Sequence, residues 1–447
     1  MSQAEVAAPV GAAPIPRRAV VAVVIGNWLE FYDFIVYTFF AVMIGNAFFP
    51  AASMSADFTQ GERDFFSLLA SLATFWAGFL TRPIGAAVIG AYGDRAGRKA
   101  AMTLTIVLMA LGTGLLAVAP TYAQIGIAAP IILIVARLIQ GFSCGGEVGP
   151  ATTYLLEAAP TNRRASLTAW QGISQQMAGI MGAGLGLILS NALSHDALYD
   201  WGWRVPFLVG ILIGPVGLYI RRALPETIGH GEAHASQSAV LKDLFANNGF
   251  AVLICVLCII GPTVSTYVSS YMTTYAIKTL NLPPEVGMLA TFCGYVAALG
   301  GVLLGAWLAD RAGPRFTILS SRIVFVLVVT QAYLMITAKG ATLETLLLVN
   351  VGLNFILAMA QGGLYVLLTE AFPKAVRSSG VSIAYAISVT VFGGSTQLAI
   401  AWLIEHFHDP MVPAWYQIGA NLVSIVAVLF IVAARDRGAV AASKAAE

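Results

Sequence analysis

Charge is what this sequence has least of. Asp, Glu, Lys and Arg make up 10% of its 447 residues, against 58% hydrophobic residues and a mean hydropathy of +0.81. Soluble domains carry about a quarter charged residues, so a water-soluble fold of this length is excluded and the bilayer is the natural solvent. A net charge of +2 supplies no basic surface for nucleic acid. The five histidines (195, 230, 234, 406 and 408) fall in loops or at the ends of apolar stretches, without metal-ligand spacing. Of the four cysteines (144, 255, 258 and 293), two form a CxxC inside AVLICVLCII. With no second pair and no histidine nearby, they read as small helix-packing residues. There is no phosphate loop and no nucleophile elbow. Catalytic residues, metals and cofactors are therefore not expected, the chain does not read as an enzyme, and ATP-driven work is unsupported. Arg17 and Arg18 precede an apolar stretch, but Asn27, Glu30 and Asp33 interrupt it and no small-residue cleavage site follows. A removable signal peptide is not expected.

What the chain has instead is apolar runs of membrane-spanning length. A helix needs about twenty mainly apolar residues to cross the hydrocarbon core. Spans are expected near 19–43, 65–90, 100–119, 124–149, 165–190 and 204–222, then near 248–278, 286–309, 316–338, 343–369, 378–402 and 413–434. The fold class is thus all-α, with twelve transmembrane helices in two pseudo-symmetric six-helix bundles. The expected division is a disordered cytoplasmic tail (1–18), an N-terminal bundle (19–222), a cytoplasmic linker (223–247), a C-terminal bundle (248–434) and a cytoplasmic tail (435–447). Of the 24 Lys and Arg, only Arg63, Arg204, Lys278 and Lys339 fall on the outer side, and Arg82, Arg137 and Arg322 fall within spans. All others lie on the inner side, as the positive-inside rule expects. Both termini are then cytoplasmic.

Two motifs recur in the same order. Between spans two and three the chain reads Gly-Ala-Tyr-Gly-Asp94-Arg95-Ala-Gly-Arg98-Lys, and between spans eight and nine Ala-Trp-Leu-Ala-Asp310-Arg311-Ala-Gly-Pro314-Arg. Span four ends in Leu-Leu-Glu157-Ala-Ala-Pro and span ten in Leu-Thr-Glu370-Ala-Phe-Pro. Paired motifs across six spans indicate a duplicated unit. The Asp-Arg-x-Gly loop and the Arg137-x-x-Gln140-Gly141 run resemble signatures of the major facilitator superfamily. Within it, GNWLEFYDF (26–34), the TRPIGA run (81–86), the RLIQGFSCGGEVG run (137–149) and WGWRVPF (201–207) resemble the metabolite–proton symporter group, and most closely its bacterial citrate–proton symporters. Phe31-Tyr32 departs from the Gln-Phe pair of citrate carriers. The resemblance implies a cytoplasmic gate at Asp94, Arg95 and Arg98 with Asp310 and Arg311, joined by Glu157 and Glu370, and weakened in its second copy by Pro314. The alternative is that these charges only solvate tight turns.

Ionisable groups inside the membrane cost several kcal/mol and are functional candidates by default. Span one carries Asn27, Glu30, Asp33 and Tyr37 along one broad helical stripe. Glu30 and Asp33, a turn apart, repel if both ionise, so one is expected to carry a proton, which is what proton coupling requires; a pair of packing hydrogen bonds is the plainer alternative. Arg137 cannot shed its charge and needs an acidic neighbour or an anionic substrate, with Gln140 on the same side. Glu147 either forms a structural ion pair with Arg82 or contacts substrate. Gln171 and Gln175 in span five can bind carboxylate or hydroxyl oxygens, or simply bond between helices. In span seven Tyr267, Ser270 and Tyr271 share a face beside Pro262, which is expected to break the helix; Tyr365 in span ten is a further candidate. Arg322 is expected to snorkel to the cytoplasmic surface.

The expected function is proton-coupled import of a small organic anion, citrate or a related tricarboxylate, by alternating access in the bacterial inner membrane. The co-transported ion is the proton, with sodium left open. The bilayer and the anion are the expected partners, with no obligate protein partner and a monomeric state. The alternatives are a symporter for 2-oxoglutarate, another carboxylate or a zwitterion such as proline or betaine, and, in another class, a non-translocating receptor.

Overall fold

A backbone in lipid must satisfy its hydrogen bonds internally. The computed structural model describes residues 17–50, 58–96, 98–145, 148–222, 237–338 and 342–445, and these contain helices and turns but no strand. The first half opens with α1 (Arg17–Phe39) and α2 (Ala41–Phe48), which meet at a 69° bend. α3 (Gln60–Leu80) continues through Thr81 into α4 (Arg82–Ala96), followed by α5 (Arg98–Val118). A short α6 (Tyr122–Ile125) precedes α7 (Ala128–Ser143) and α8 (Val148–Ala158). α9 (Arg164–Thr168) runs on into α10 (Trp170–Ala192), and α11 (His195–Asp200) leads to α12 (Val205–Arg222). The second half comprises α13 (Gln237–Lys278), α14 (Pro284–Ala312), α15 (Pro314–Thr337) and α16 (Leu343–Glu370). α17 (Arg377–Ser388) and α18 (Gly394–Phe407) are joined by a π-helical turn at Val389–Gly393, and α19 (Val412–Ala445) closes the bundle. Eight helical runs are long and apolar enough to cross a bilayer and the bent α1–α2 pair makes a ninth. Shorter apolar stretches in α5, α7 and α12 supply the remaining spans.

Each half is closed by a seam in which backbone meets backbone. A Cβ placed on Gly141 of α7 would lie 1.5 Å from the carbonyl oxygen of Gly78 in α3, and one on Gly305 of α14 would lie 2.0 Å from that of Met359 in α16. Only glycine permits such crossings. The glycine-rich run also explains why span four is not the single helix expected over 124–149: α7 stops at Ser143, where Gly145 and Gly146 follow, and α8 begins afresh at Val148.

Two further expectations are corrected. Pro262 does not break span seven, because α13 is continuous through it. Proline lacks an N–H and so orphans the carbonyl four residues earlier, here that of Cys258. Arg322 Nη2 donates to that oxygen at 3.2 Å, and Ser424 Oγ also donates to it. Arg322 therefore does not snorkel: it is 1% exposed, with Nη1 bonded to Ser424 Oγ. The expected linker and tail are in part helical, since α13 begins at Gln237 and α19 runs to Ala445. Residues 1–16, 223–236 and 446–447 of the expected tails and linker lie outside the described residues.

The halves meet mainly where α10 crosses α14, where α1 approaches α13, and where α3 and α8 face α18 and α17.

Candidate functional site

The four polar residues of α1 are all buried, but they do not converge. At about 100° per residue, Asn27 and Asp33 point about 120° apart and reach different neighbours. Asn27 clasps α10: its amide donates to Ser174 Oγ at 2.6 Å and to the Gln171 carbonyl at 3.1 Å, while Gln171 Nε2 returns a bond to Asn27 Oδ1 at 2.8 Å. Both Asn27 donors are thus engaged in holding α1 to α10. Tyr37 donates to the Ser71 carbonyl at 3.0 Å. Glu30 lies 3.6 Å from Arg82 Nη2, so Arg82 has an acidic partner on α1; Glu147, the other candidate partner for Arg82, lies outside the described residues. Asp33 Oδ2 accepts from Thr113 Oγ1 of α5 at 2.6 Å. The two carboxylates are separated by taking different partners.

From Asp33 a one-way chain of donors runs back to a buried cation. Arg137 Nη1 donates to Gln140 Oε1 at 2.8 Å, Gln140 Nε2 donates to Thr113 Oγ1 at 2.9 Å, and Thr113 donates to Asp33. Arg137 is 0% exposed, and its Nε and Nη2 find no acceptor among the described residues. Rings take the place of solvent. The Arg137 guanidinium carbon lies 4.5 Å from the Tyr37 ring centre, 4.8 Å from Phe34 and 5.1 Å from Phe75. Arg82 lies 4.5 Å from the same Phe34 and 4.6 Å from Phe79. Such contacts contribute about 2 kcal/mol or more when desolvated. Phe34, Phe75, Phe79 and Thr113 escaped the sequence reading. The available signals were the four-residue spacing of Phe75 and Phe79 and the lone hydroxyl of Thr113 in an apolar helix.

The second half meets this cluster with aromatic and amide groups. Tyr267 stands edge-on to Phe75 and Phe79, with ring centres 5.9 and 5.7 Å away. Gln175 Nε2 donates to the Tyr365 hydroxyl at 3.0 Å, and Gln176 Nε2 to Gln361 Oε1 at 3.0 Å, both across the halves. Ser270 is tied within its own half, donating to the Tyr267 carbonyl and accepting from Gln397 at 2.9 Å. Tyr271 is buried in the apolar core. Trp76 Nε1 donates to the Thr390 carbonyl at 3.0 Å, and Thr390 donates back to the Phe79 carbonyl at 3.1 Å, so the π-helical turn is pinned to α3.

At one end of the bundle the loop acids hold the halves together. Asp310 accepts from the amides of Ala165 at 2.8 Å and Ser166 at 3.0 Å, and from the Ser166 hydroxyl. It therefore caps the start of α9 in the other half, where a helix favours negative charge. Arg164 and Glu370 form an ion pair at 3.1 Å. Glu157 is exposed, and Arg311 lies 4.1 Å over Trp307. The side chains of Asp94, Arg95 and Arg98 lie outside the described residues.

These features define a multi-pass membrane protein whose two six-helix bundles meet across a buried polar midplane. The profile of the Major Facilitator Superfamily matches residues 34–395, and the chain belongs to that family. It is similar to a citrate-proton symporter of Klebsiella pneumoniae, 35% identical over 417 residues that cover 92% of this chain and 91% of the relative. It is also similar to a proline/betaine transporter of Salmonella typhimurium, 32% identical over 427 residues covering 92% and 82%. A crystal structure of a D-xylose-proton symporter shares the fold with a TM-score of 0.73 and 18% identity, over 93% of this chain and 97% of that one.

Proposed function

We propose that the protein is a proton-coupled symporter that imports a small organic anion, a tricarboxylate such as citrate, by alternating access. The observation that carries this reading is the buried chain from Arg137 through Gln140 and Thr113 to Asp33, with two guanidinium donors left over. With Asp33 ionised, its charge balances Arg137 through the two relays. A substrate carboxylate that takes the free edge of Arg137 adds a negative charge to a low-dielectric site, and a proton on Asp33 restores the balance. Protonation also weakens the acceptor at the end of a cooperative chain, which releases Gln140 and Arg137 toward the anion. Anion and proton thus load together. Gln175, Tyr267 and Tyr365 supply hydrogen-bonding groups from the facing surfaces, while Asp310 and Glu370 hold the gate closed. The protein works as a monomer in a bacterial inner membrane with both termini cytoplasmic, moves its cargo unchanged and uses no cofactor. The inside-negative potential assists uptake when protons exceed the substrate charge.

A second reading, a zwitterion carrier, is favoured by Phe31-Tyr32 and by the proline/betaine relative. Uptake of labelled citrate into proteoliposomes under an inward proton gradient separates the two. Accumulation that a protonophore collapses and that does not require sodium is expected. Accumulation of proline or betaine without competition from citrate would sink the assignment of Arg137 to an anion.

A further inference from the structure

Asp33 touches a cavity whose described lining includes no residue of the second half. The cavity, of about 50 Å³, lies between α1, α5 and α12 and is lined by Glu30, Asp33, Thr105, Ser143, Gly210 and Gly214 together with apolar neighbours, all from the first half. The faces that meet across the halves lie mainly at Arg137, Tyr267 and Gln175, and of the lining residues Glu30 and Cys144 also stand near Tyr267. We propose that this cavity is a water-filled side passage through which Asp33 releases its proton, separate from the path of the substrate. The proposal rests on the reading of Asp33 as the coupled carboxyl.

The depth of the lining residues gives the passage a direction. Gly26 and Asp33 both line it and stand about 10 Å apart along α1 at ~1.5 Å per residue. Thr105 lies two turns from the start of α5, and Gly214 two turns from the end of α12. The cavity therefore begins beside Asp33 and runs toward the membrane face on which α5 starts and α12 ends. That is the face of the Asp310 gate and the expected cytoplasmic side.

The chemistry of the lining suits water. One water needs roughly 10–15 Å³ of such volume and two to four polar partners, so about three to five fit, with Asp33, Thr105 and Ser143 in the lining. Thr113 holds one oxygen of Asp33. The other, Oδ1, has no donor among the described residues and lies against Gly210, where a Cβ would approach it to 2.7 Å. Gly210 lines the cavity, so Oδ1 stands at its wall; Oδ1 is closed to water in this structure, and a rotation of the Asp33 carboxyl brings it to the water. In the step proposed, the Asp33 O–H bond breaks, the proton forms a new O–H bond on that water, and the carboxylate stays behind. The hydronium next passes Glu30, whose charge is shared with Arg82 at 3.6 Å. The titratable groups facing Asp33 and the passage among the described residues are Glu30 and Tyr32 on α1, Arg82 on α4, Arg137 on α7 with Cys144 just after it, and, beside Glu30, Tyr267 on α13 and Tyr385 on α17. To the cavity, α5 presents Thr105 and α12 presents Gly210 and Gly214. A consequence is that the proton leaves while the Asp310 gate is still shut.

Gly214 makes the test, because a Cβ there meets only Ala110 Cβ, at 3.7 Å, and a longer side chain grows into the cavity. In proteoliposomes Gly214→Leu is expected to slow citrate uptake driven by a proton gradient about tenfold or more, as when proton transfer becomes the slow step. Citrate counterflow, which moves no net protons, should stay near the parent rate. Gly214→Ala should lie between, and Gly352→Leu, where an added Cβ meets nothing within 4 Å, should match the parent. If Gly214→Leu does not reach the membrane, Ala110→Val carries the same expectation. Parent-like proton-driven uptake in the filled variants overturns the passage, and so does an equal fall in uptake and counterflow. Asp33→Asn tests the underlying reading separately: uphill uptake that survives this change refutes Asp33 as the coupled carboxyl, whatever Gly214→Leu does.

Discussion

Asp310→Asn should open the gate by a calculable amount. The carboxylate receives two backbone amides and one hydroxyl from the other half. A hydrogen bond to a charged group contributes about 1.5–3 kcal/mol, and an anion at an exposed helix start ~0.3–1 kcal/mol. Asp310 is partly exposed, so the lower ends apply. Asparagine keeps one acceptor oxygen but turns its NH₂ toward a donor. The summed loss is about 2–3 kcal/mol, or about 30- to 150-fold in the closed-to-open ratio at ~1.4 kcal/mol per factor of ten. Hydrogen exchange of the protein in nanodiscs reads this directly, because the amides of Ala165 and Ser166 exchange only when the cap lets go. The peptide over 164–170 should exchange faster by that factor, while the interior of α16 should not change. The neighbouring Arg164–Glu370 pair is partly exposed on both sides, 44% and 32%, and such pairs contribute at most about 1 kcal/mol. Glu370→Gln should therefore have a much smaller effect on the same peptide. Equal exchange in Asp310→Asn and the parent, or a larger effect from Glu370→Gln, would refute the cap as the main closure.

Other changes have equally definite outcomes. Arg137→Lys keeps the charge but loses the fork that reaches Gln140 while leaving two donors free; proton-driven citrate uptake should fall roughly a hundredfold, about 2.7 kcal/mol, with folding retained by fluorescence-detected chromatography. Arg322→Met strips the orphaned Cys258 carbonyl of one donor and should lower thermal stability by about 1–3 kcal/mol. Pro262→Ala restores the missing N–H, so the same Arg322 change should cost less in that background, and an additive double-mutant cycle would argue against the bracing role. Gly141→Leu drives a Cβ into the Gly78 carbonyl and should abolish folded protein in the membrane, which expression followed by size-exclusion profiles would show.

The fold was legible because its signals are local. Span length, loop charge and repeated Asp-Arg-x-Gly turns are written along the chain, and each is read without knowing what lies opposite. Partner choice is a different kind of information. The stripe of α1 was visible, but the rotation and tilt that give Glu30 to Arg82, Asn27 to Gln171 and Asp33 to Thr113 depend on several helices at once. Pro262 misled for a related reason: its local effect is to free a carbonyl, and whether the helix then breaks depends on whether a donor such as Arg322, sixty residues away, can reach it. The discontinuity of the second half arises instead at Val389–Gly393, where nothing in the sequence beyond two adjacent glycines marks a π-helical turn.

The glycine seams at Gly141 and Gly305 have a mechanical consequence. Where backbone rests on backbone there are no side chains to tilt, slide or change rotamer, so each bundle is stiff across its own middle. The surface between the bundles is the opposite: long amides, rings and hydroxyls such as Gln175, Gln361, Tyr267 and Tyr365, each with several rotamers within reach. Compliance is concentrated in that layer, as in two rigid shells separated by a soft gasket. Strain introduced by a bound anion relaxes first in the gasket, and the shells turn without deforming.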